Sequence, residues 1–341
     1  MIFDVCQSLA GSLHGLLLAQ NEASSLRFFP ESASTLAPHT DALFWTLVLI
    51  CSAVAIGIAI FLVYFLIRYR ASSSADRSTP PGTILWVELT WMIIPLMIFI
   101  IIFLWSAGLY FFMKRPPKGN ALDVYVVGKQ WMWKFQHPTG QREIDELHVP
   151  VNKTVRLMIT SEDVIHSLFI PDFRVKQDAV PGRYTSSWFT GTKPGKYHIF
   201  CAEYCGLNHS YMGGWIFVMS PEDYANWLQK NTVAESMSSA GAKLFMRMGC
   251  SGCHLSGGKL APALNDLYGN MVVLADNSRT IANYQYIRDS ILLPQKQIVA
   301  GYSAIMPTFA GLLKEQELTQ LIEYIKSLSA DQKGRLNERS Y

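Results

Sequence analysis

Two short stretches in the second half of the 341-residue chain carry its densest chemistry. From Cys201 to Met212, the sequence C-A-E-Y-C-G-L-N-H-S-Y-M gathers two thiols, an imidazole and a thioether, a soft to borderline donor set of the kind copper prefers. From Cys250 to His254, C-S-G-C-H is the attachment signature of a covalent c-type haem. There Cys250 and Cys253 would form the thioethers and His254 would supply the proximal nitrogen. Both motifs read as redox-metal sites, and the chemistry that reading implies is electron transfer.

The first set is one ligand short. A mononuclear blue-copper centre takes one thiolate, two histidines and a weak methionine, and here there is a thiolate too many. Two thiolates can bridge two copper ions, with a second histidine arriving from an earlier strand. His166, beside the β-run Ser167 to Ile170, is the best placed. On the residues alone two other arrangements stay open: a Cys2His2 zinc site from His166, Cys201, Cys205 and His209, and a disulfide between the cysteines that leaves the histidines unexplained. Met212 weighs towards copper, because a thioether contributes little to zinc. The second axial ligand of the haem should be a methionine well downstream, since Met/His ligation raises the potential of a c-type cytochrome. Met306, followed by Pro307, fits. Met246 and Met248 lie too close to the cysteines to reach the opposite haem face, and Met271 lacks such a flank.

The hydrophobic pattern shows what must hold these groups. Half of the residues are apolar, and Ala42 to Ile67 and Leu89 to Met113 carry no charge. Each run is long enough to cross a hydrocarbon core of about 30 Å as a helix. Joined by the Ser- and Pro-rich loop Arg68 to Gly82, they predict a hairpin with both chain ends on one side. Arg68, Arg70 and Arg77 in the loop nearly balance Lys114, Arg115 and Lys118 outside it, so charge does not orient the pair. Haem attachment does, because covalent c-type haem belongs to the oxidising face. The formal charge of +3, without a polybasic block, gives nucleic-acid binding no support. The segment 1–41 holds a weak apolar stretch, Leu13 to Ala19, and is either a signal or a short extracytoplasmic segment. Cys6 has no assigned role, and Cys51 reads as a small apolar helix residue. His14, His39, His137 and His148 lack partner spacing, and His198 reads as packed.

From Ala121 to about Ser220 short β-rich runs alternate with Pro and Gly: Val124–Val127, Thr154–Thr160, Ser167–Ile170, Thr185–Thr190, Tyr197–Phe200 and Trp215–Met219, a spacing that suggests a β-sandwich. Ser220 then caps a helix with Pro221 at its first position, ending near Gln229. Lys230 to Ser238 reads as a flexible linker, with an r.m.s. span of roughly 15 to 18 Å. A helix over Ala240 to Gly249 runs into the haem motif. The final hundred residues read as helical, with Leu318, Leu321, Ile322 and Ile325 on one stripe.

The stretches E-L-H-V-P-V (Glu146 to Val151), S-E-D-V-I-H-S (Ser161 to Ser167), R-V-K-Q-D-A-V-P-G-R-Y (Arg174 to Tyr184) and C-A-E-Y-C-G (Cys201 to Gly206) resemble subunit II of haem-copper cytochrome c oxidases. The resemblance runs from the hairpin to about Met219, and the haem motif beyond it is similar to the fused caa-type variant of bacteria. It implies a two-helix transmembrane hairpin (42–113), a cupredoxin-like β-sandwich (120–229), a linker (230–238), a C-terminal all-α class I cytochrome c domain (239–330) and a tail (331–341).

By motif position the resemblance implies a dinuclear CuA centre on His166, Cys201, Cys205, His209, Met212 and the backbone carbonyl of Glu203. The Glu203 side chain would share a magnesium ion with subunit I. Related quinol oxidases have lost these ligands, and all six positions are filled here. G-K-Q-W-M-W, Gly128 to Trp133, resembles the family's aromatic patch, with Trp131 as the electron entrance and Met132 where a tyrosine is usual; otherwise Trp131 and Trp133 are half-buried strand residues. Glu88 matches the glutamate at the mouth of a proton channel, although the residues alone also allow a solvated helix cap. Ala261-Pro-Ala-Leu resembles the segment whose proline carbonyl orients the proximal histidine, with Ala261 in place of glycine.

The implied function is that of an oxidase subunit with no independent catalysis. Electrons would pass from a donor through haem c and CuA to haem a of subunit I, where oxygen reduction is coupled to proton pumping. The implied partners are subunits I and III, the lipid bilayer, and an upstream donor: cytochrome c, another small redox protein or a quinol-oxidising complex. The implied location is the bacterial inner membrane, multi-pass, with both domains periplasmic. Rival readings are a membrane-tethered carrier with no oxidase and a copper-delivery protein, which would have no use for a haem domain. Nitrous oxide reductases share the copper loop, but the hairpin and haem motif do not fit them.

Overall fold

The computed structural model describes residues 29–78, 82, 84–117, 121–231, 235–255 and 260–338. Cys6, His14, the stretch Leu13 to Ala19 and Lys118 lie outside them. Two long helices come first, α1 (Ala37–Arg68) and α2 (Leu85–Lys114). Both extend past their uncharged runs, since a helix need not stop where its side chains turn polar. Leu, Ile, Phe and Trp side chains stand exposed all around them, which only lipid or another apolar surface can cover. The base of α1 is tied to the β domain: Ser34 Oγ donates to the Phe173 carbonyl at 2.9 Å, and Arg174 pairs with Asp41 at 2.7 Å. The end of α2 is held by Phe112 edge-on to Trp188 and by Lys114 Nζ donating to Gln177 at 2.9 Å. Both ends of the hairpin therefore lie against the β domain, and Glu88, in the first turn of α2, lies at the other end of that helix.

The β domain is built from ten strands: β1 (Leu122–Lys129), β2 (Met132–Gln136), β3 (Arg142–Ile144), β4 (Glu146–Pro150), β5 (Thr154–Ser161), β6 (His166–Ile170), β7 (Val175–Ala179), β8 (Thr185–Thr190), β9 (Gly195–Cys201) and β10 (Gly213–Met219). They form two five-stranded sheets, ordered β3-β2-β1-β5-β8 and β4-β10-β9-β6-β7, with parallel pairs β1/β5 and β4/β10. Alternation places Val124, Val126, Val155, Leu157 and Ile159 inward, against Leu147, Val149, Leu168, Ile170, Ile199 and Ile216 of the facing sheet. The opposite alternation on β1 turns Asp123 and Tyr125 to the outer face.

Helix α3 (Pro221–Lys230) begins as expected, with Ser220 Oγ accepting from Asp223 N at 3.1 Å. Helices α4 (Met237–Arg247), α5 (Ser251–His254), α6 (Tyr284–Leu292) and α7 (Glu315–Glu338) make the last domain. Helices α4 and α7 cross at Gly241, where a Cβ would meet the Gln320 carbonyl at 2.0 Å. The last domain is helical, as expected, with one short hairpin added, β11 (Met271–Val273) and β12 (Arg279–Ile281), around the polar turn Ala275 to Ser278. One expectation needs correcting: the linker is not a nine-residue flexible tether. Ser236 caps α4, Met237 is buried in the core of the last domain, and its N–H donates to the Pro138 carbonyl of the β domain at 3.1 Å.

Candidate copper and haem centres

The copper-type donors converge at one end of the sandwich. Cys201 ends β9, the loop to β10 supplies Cys205, His209 and Met212, and His166 begins β6 alongside. The sulfurs of Cys201 and Cys205 lie 3.8 Å apart, and from Cys205 Sγ it is 3.5 Å to His209 Nδ1 and 3.7 Å to Met212 Sδ. Donor atoms of His166, Cys201 and Cys205 all fall within 4.8 Å of one another. The Glu203 carbonyl is 3.3 Å from Cys201 Sγ, and the Glu203 side chain is exposed. At 3.8 Å the cysteines are not a disulfide, whose sulfurs lie about 2.05 Å apart.

Neighbours that the motifs did not reveal set this geometry. Asp163 Oδ1 lies 2.8 Å from His166 Nε2, which places a proton there, and Nδ1 is buried and without a hydrogen-bond partner. An orphaned nitrogen beside two thiols is what a metal ligand looks like without its metal. Gly128 of β1 underlies the ring, where a Cβ would come within 2.8 Å of His166 Cδ2. Burial raises the Cys201 thiol, but the neighbouring His166 ring and hydrogen bonds with the backbone around Glu203 and Ser167 outweigh it and bring the pKa to about 6. Burial, and then the Cys201 charge, push Cys205 up to about 12. Two thiolates this close repel, and cations between them would remove the penalty. The donor set therefore fits copper.

Trp131 lies in the turn between β1 and β2, half-buried rather than within a strand, and its Nε1 donates to the Cys205 carbonyl at 3.2 Å. Gln130 Nε2 donates to the same oxygen at 2.7 Å. Trp133 is fully buried, with its ring edge-on to His166 at 5.9 Å. His198 packs between Phe200 and Trp215 and takes no part in the donor cluster. His137 and His148, treated as ordinary, both bond to the half-buried Glu143, and His148 stacks between Phe217 and Trp227.

In the last domain Cys250, Cys253 and His254 lie on or at the start of α5, at helical spacing that turns them to one side. His254 and Met306 both line an apolar cavity of about 1080 Å³, counted out to its mouth, whose walls include Phe245, Leu267, Ile287 and Leu321. The His254 Nδ1–H donates to the Pro262 carbonyl at 2.9 Å, so Nε2 is the nitrogen that could ligate a metal. Ala261 in place of glycine does not prevent this bond. Met248 also borders the cavity, whereas Met246 and Met271 are exposed. The cavity, the oriented imidazole and the cysteines fit a covalent haem.

Three family models match the chain in series: the cytochrome c oxidase subunit II transmembrane domain over residues 22–109, its periplasmic domain over 140–219, and cytochrome c over 238–329. A probable cytochrome c oxidase subunit 2 of Rickettsia bellii is 34% identical over 211 residues, covering 55% of this chain and 78% of the relative. The cytochrome c oxidase subunit 2 of Alkalihalophilus pseudofirmus is 26% identical over 293 residues, covering 80% of this chain and 83% of that one. The crystal structure of the periplasmic domain of subunit II of cytochrome oxidase (CoxB) of Bradyrhizobium japonicum is 33% identical over 34% of this chain and 96% of its own, with a TM-score of 0.33. The copper and haem motifs, the apolar hairpin, the family models and the curated relatives agree, and the chain belongs to the cytochrome c oxidase subunit II family, as an electron-transfer subunit of a terminal oxidase with a cytochrome c domain fused behind its copper domain.

Proposed function

We propose that this subunit carries electrons from an upstream donor through haem c to a dinuclear CuA centre, and from there to haem a of subunit I. The observation that carries the reading is the buried convergence of two thiols, the orphaned His166 Nδ1 and the Met212 thioether. His166, Cys201, Cys205, His209, Met212 and the Glu203 carbonyl would hold two copper ions, and Cys250, Cys253, His254 and Met306 the haem. When bound, these groups supply reversible one-electron redox chemistry. The chain's own part is positional. Asp163 aims His166, Pro262 aims His254, and Trp131 is bonded to the backbone of a copper ligand, as an electron entrance would be.

Glu203 sits at the tip of the copper loop with Tyr204, Leu207 and Tyr211, all exposed. That surface suits subunit I, and Glu203 would share the magnesium ion there. Glu88, at the far end of α2, would admit protons from the opposite side of the membrane. Subunit III is a further expected partner, and the location is the bacterial inner membrane, crossed twice, with the copper and haem domains periplasmic.

Rapid mixing of the detergent-purified complex with a reduced donor tests the order. Haem c should reduce first and copper second, with subunit I among the co-purifying chains. Full-rate copper reduction in a Cys250→Ala, Cys253→Ala chain would make the haem a side branch and Trp131 the real entrance.

A further inference from the structure

The copper and haem domains meet over a buried polar face that neither metal site uses. Asp123, on the outer face of β1, accepts from Arg156 of β5 at 2.7 Å and from Lys326 of α7 at 2.6 Å. Tyr125 donates to Glu323 at 2.7 Å, and Lys326 also reaches Glu323 at 2.9 Å and the Tyr284 hydroxyl at 2.7 Å. At the edge of the face Tyr184 donates to Glu315 at 2.7 Å, and Arg288 donates to the Gly182 carbonyl at 2.7 Å. Asp123, Tyr125, Tyr284 and Glu323 are all at least nine-tenths buried. Buried ion pairs add little net stability, but removing one partner is costly, so a network of this kind selects one arrangement over its neighbours.

The helices that make this face are also the walls of the haem cavity. On α6, Tyr286, Ile287 and Ile291 line the cavity while Tyr284 and Arg288 meet the copper domain. On α7, Leu321 and Ile325 line it while Glu323 and Lys326 dock. One helix thickness, about 10–12 Å, separates the cavity from the β domain. From Tyr125, β1 runs about 10 Å further to Gly128, beneath the ring of His166. The tyrosine rings bridge the gap, Tyr268 to Tyr284 at 5.1 Å and Tyr284 to Tyr125 at 5.9 Å.

We infer that this face is the electron-transfer interface between the two domains, and that Asp123, Arg156, Tyr125, Glu323 and Lys326 hold the haem domain on it in one fixed pose. The inference rests on the copper and haem assignments above. One electron leaves ferrous haem and reduces the oxidised copper centre, with no bond made or broken.

The test uses the full chain, loaded with both metals, and a Glu323→Gln, Lys326→Gln double variant, which neutralises a pair without stranding a charge. Hydroxyl-radical footprinting of Tyr125 and Tyr184 reads docking, and flash-initiated haem-to-copper transfer, at several glycerol concentrations, reads the rate. In the parent the tyrosines should be shielded and the rate independent of viscosity. In the variant, oxidation should rise several-fold, and transfer should slow at least tenfold and become viscosity-dependent. Tyrosines already reactive in the parent, tyrosines still shielded in the variant, or a parental rate in an undocked variant would each overturn the inference. A missing copper or haem absorption band in the parent would instead defeat the metal assignments.

Discussion

Replacing Gly128 by alanine places a methyl group against the buried ring of His166, the proposed copper ligand. The new Cβ would lie 2.8 Å from His166 Cδ2, and 3.2 Å from both His166 Cγ and Trp133 Cζ3. Carbon atoms settle at about 3.5–4.0 Å, so the imidazole must retreat by roughly 0.7 Å or more. His166 and Trp133 are both fully buried, and the ring is pinned at Nε2 by Asp163, so the retreat carries Nδ1 away from the sulfurs. Metal–ligand distances tolerate only about 0.2 Å. Gly128→Ala should therefore lower copper affinity by about 10–100-fold, the range seen when the support of a ligand is lost, at a folding cost of about 1–3 kcal/mol. Chelator competition followed through the copper absorption measures the first, and thermal unfolding of the copper-free chain the second. Gly191→Ala is the comparison: its Cβ would crowd Val218 at 3.1 Å, away from every copper ligand, and should cost stability without changing copper affinity. Parental copper affinity in Gly128→Ala would refute the reasoning.

Asp163→Ala removes the acceptor that fixes the His166 proton on Nε2, and copper affinity in the same chelator assay should drop by about 10–100-fold; an unchanged affinity would mean the ring is held by packing alone. Glu88→Gln should slow oxygen consumption by the assembled complex while leaving copper and haem spectra intact, and an unchanged turnover would make Glu88 a solvated helix cap. Docking of the haem domain should be flat across neutral pH. Burial raises Asp123, but hydrogen bonds and charge from Arg156 and Lys326 outweigh it and hold the pKa below the usual carboxylate value, with Glu323, Tyr125 and Tyr284 completing its surroundings. A depressed carboxylate stabilises above its ordinary pKa and loses that stabilisation as pH falls through the depressed one. Burial lowers Lys326, but Glu323 and Asp123 raise it further, so its contribution is lost only in alkali. Footprinting of Tyr125 against pH should show release at the acid end, and a midpoint near the histidine value of about 6.5 would contradict this.

Local sequence carried the donor loop, because Cys201, Cys205, His209 and Met212 follow one another at steps of four, four and three on a single turn of chain. It carried the haem cysteines and histidine for the same reason. What lay beyond reach was support from distant chain. Gly128 is an ordinary residue until β1 brings it beneath the imidazole that begins β6, whereas Asp163 is local, three positions before His166, and meets Nε2 through the turn that precedes β6. Strands β3, β4 and β7 escaped notice because they are short or polar: Arg142–Ile144 has three residues, and Val175–Ala179 has a lysine, a glutamine and an aspartate between its buried ends. The Ser-rich run before α4 looked like linker because Ser236, a helix cap, has the composition of a loop. The docking face was the least legible part, since Tyr125 and Glu323 are 198 positions apart and no local pattern marks a charge whose partner lies in another domain.

Two thiolates, two imidazoles and a thioether would hold a pair of copper ions as one redox unit. Metal analysis and electron paramagnetic resonance of the oxidised, purified protein test it most directly. Two coppers per chain, sharing one unpaired electron across both nuclei, is the predicted result. A four-line signal from a single copper, or zinc in place of copper, would contradict it.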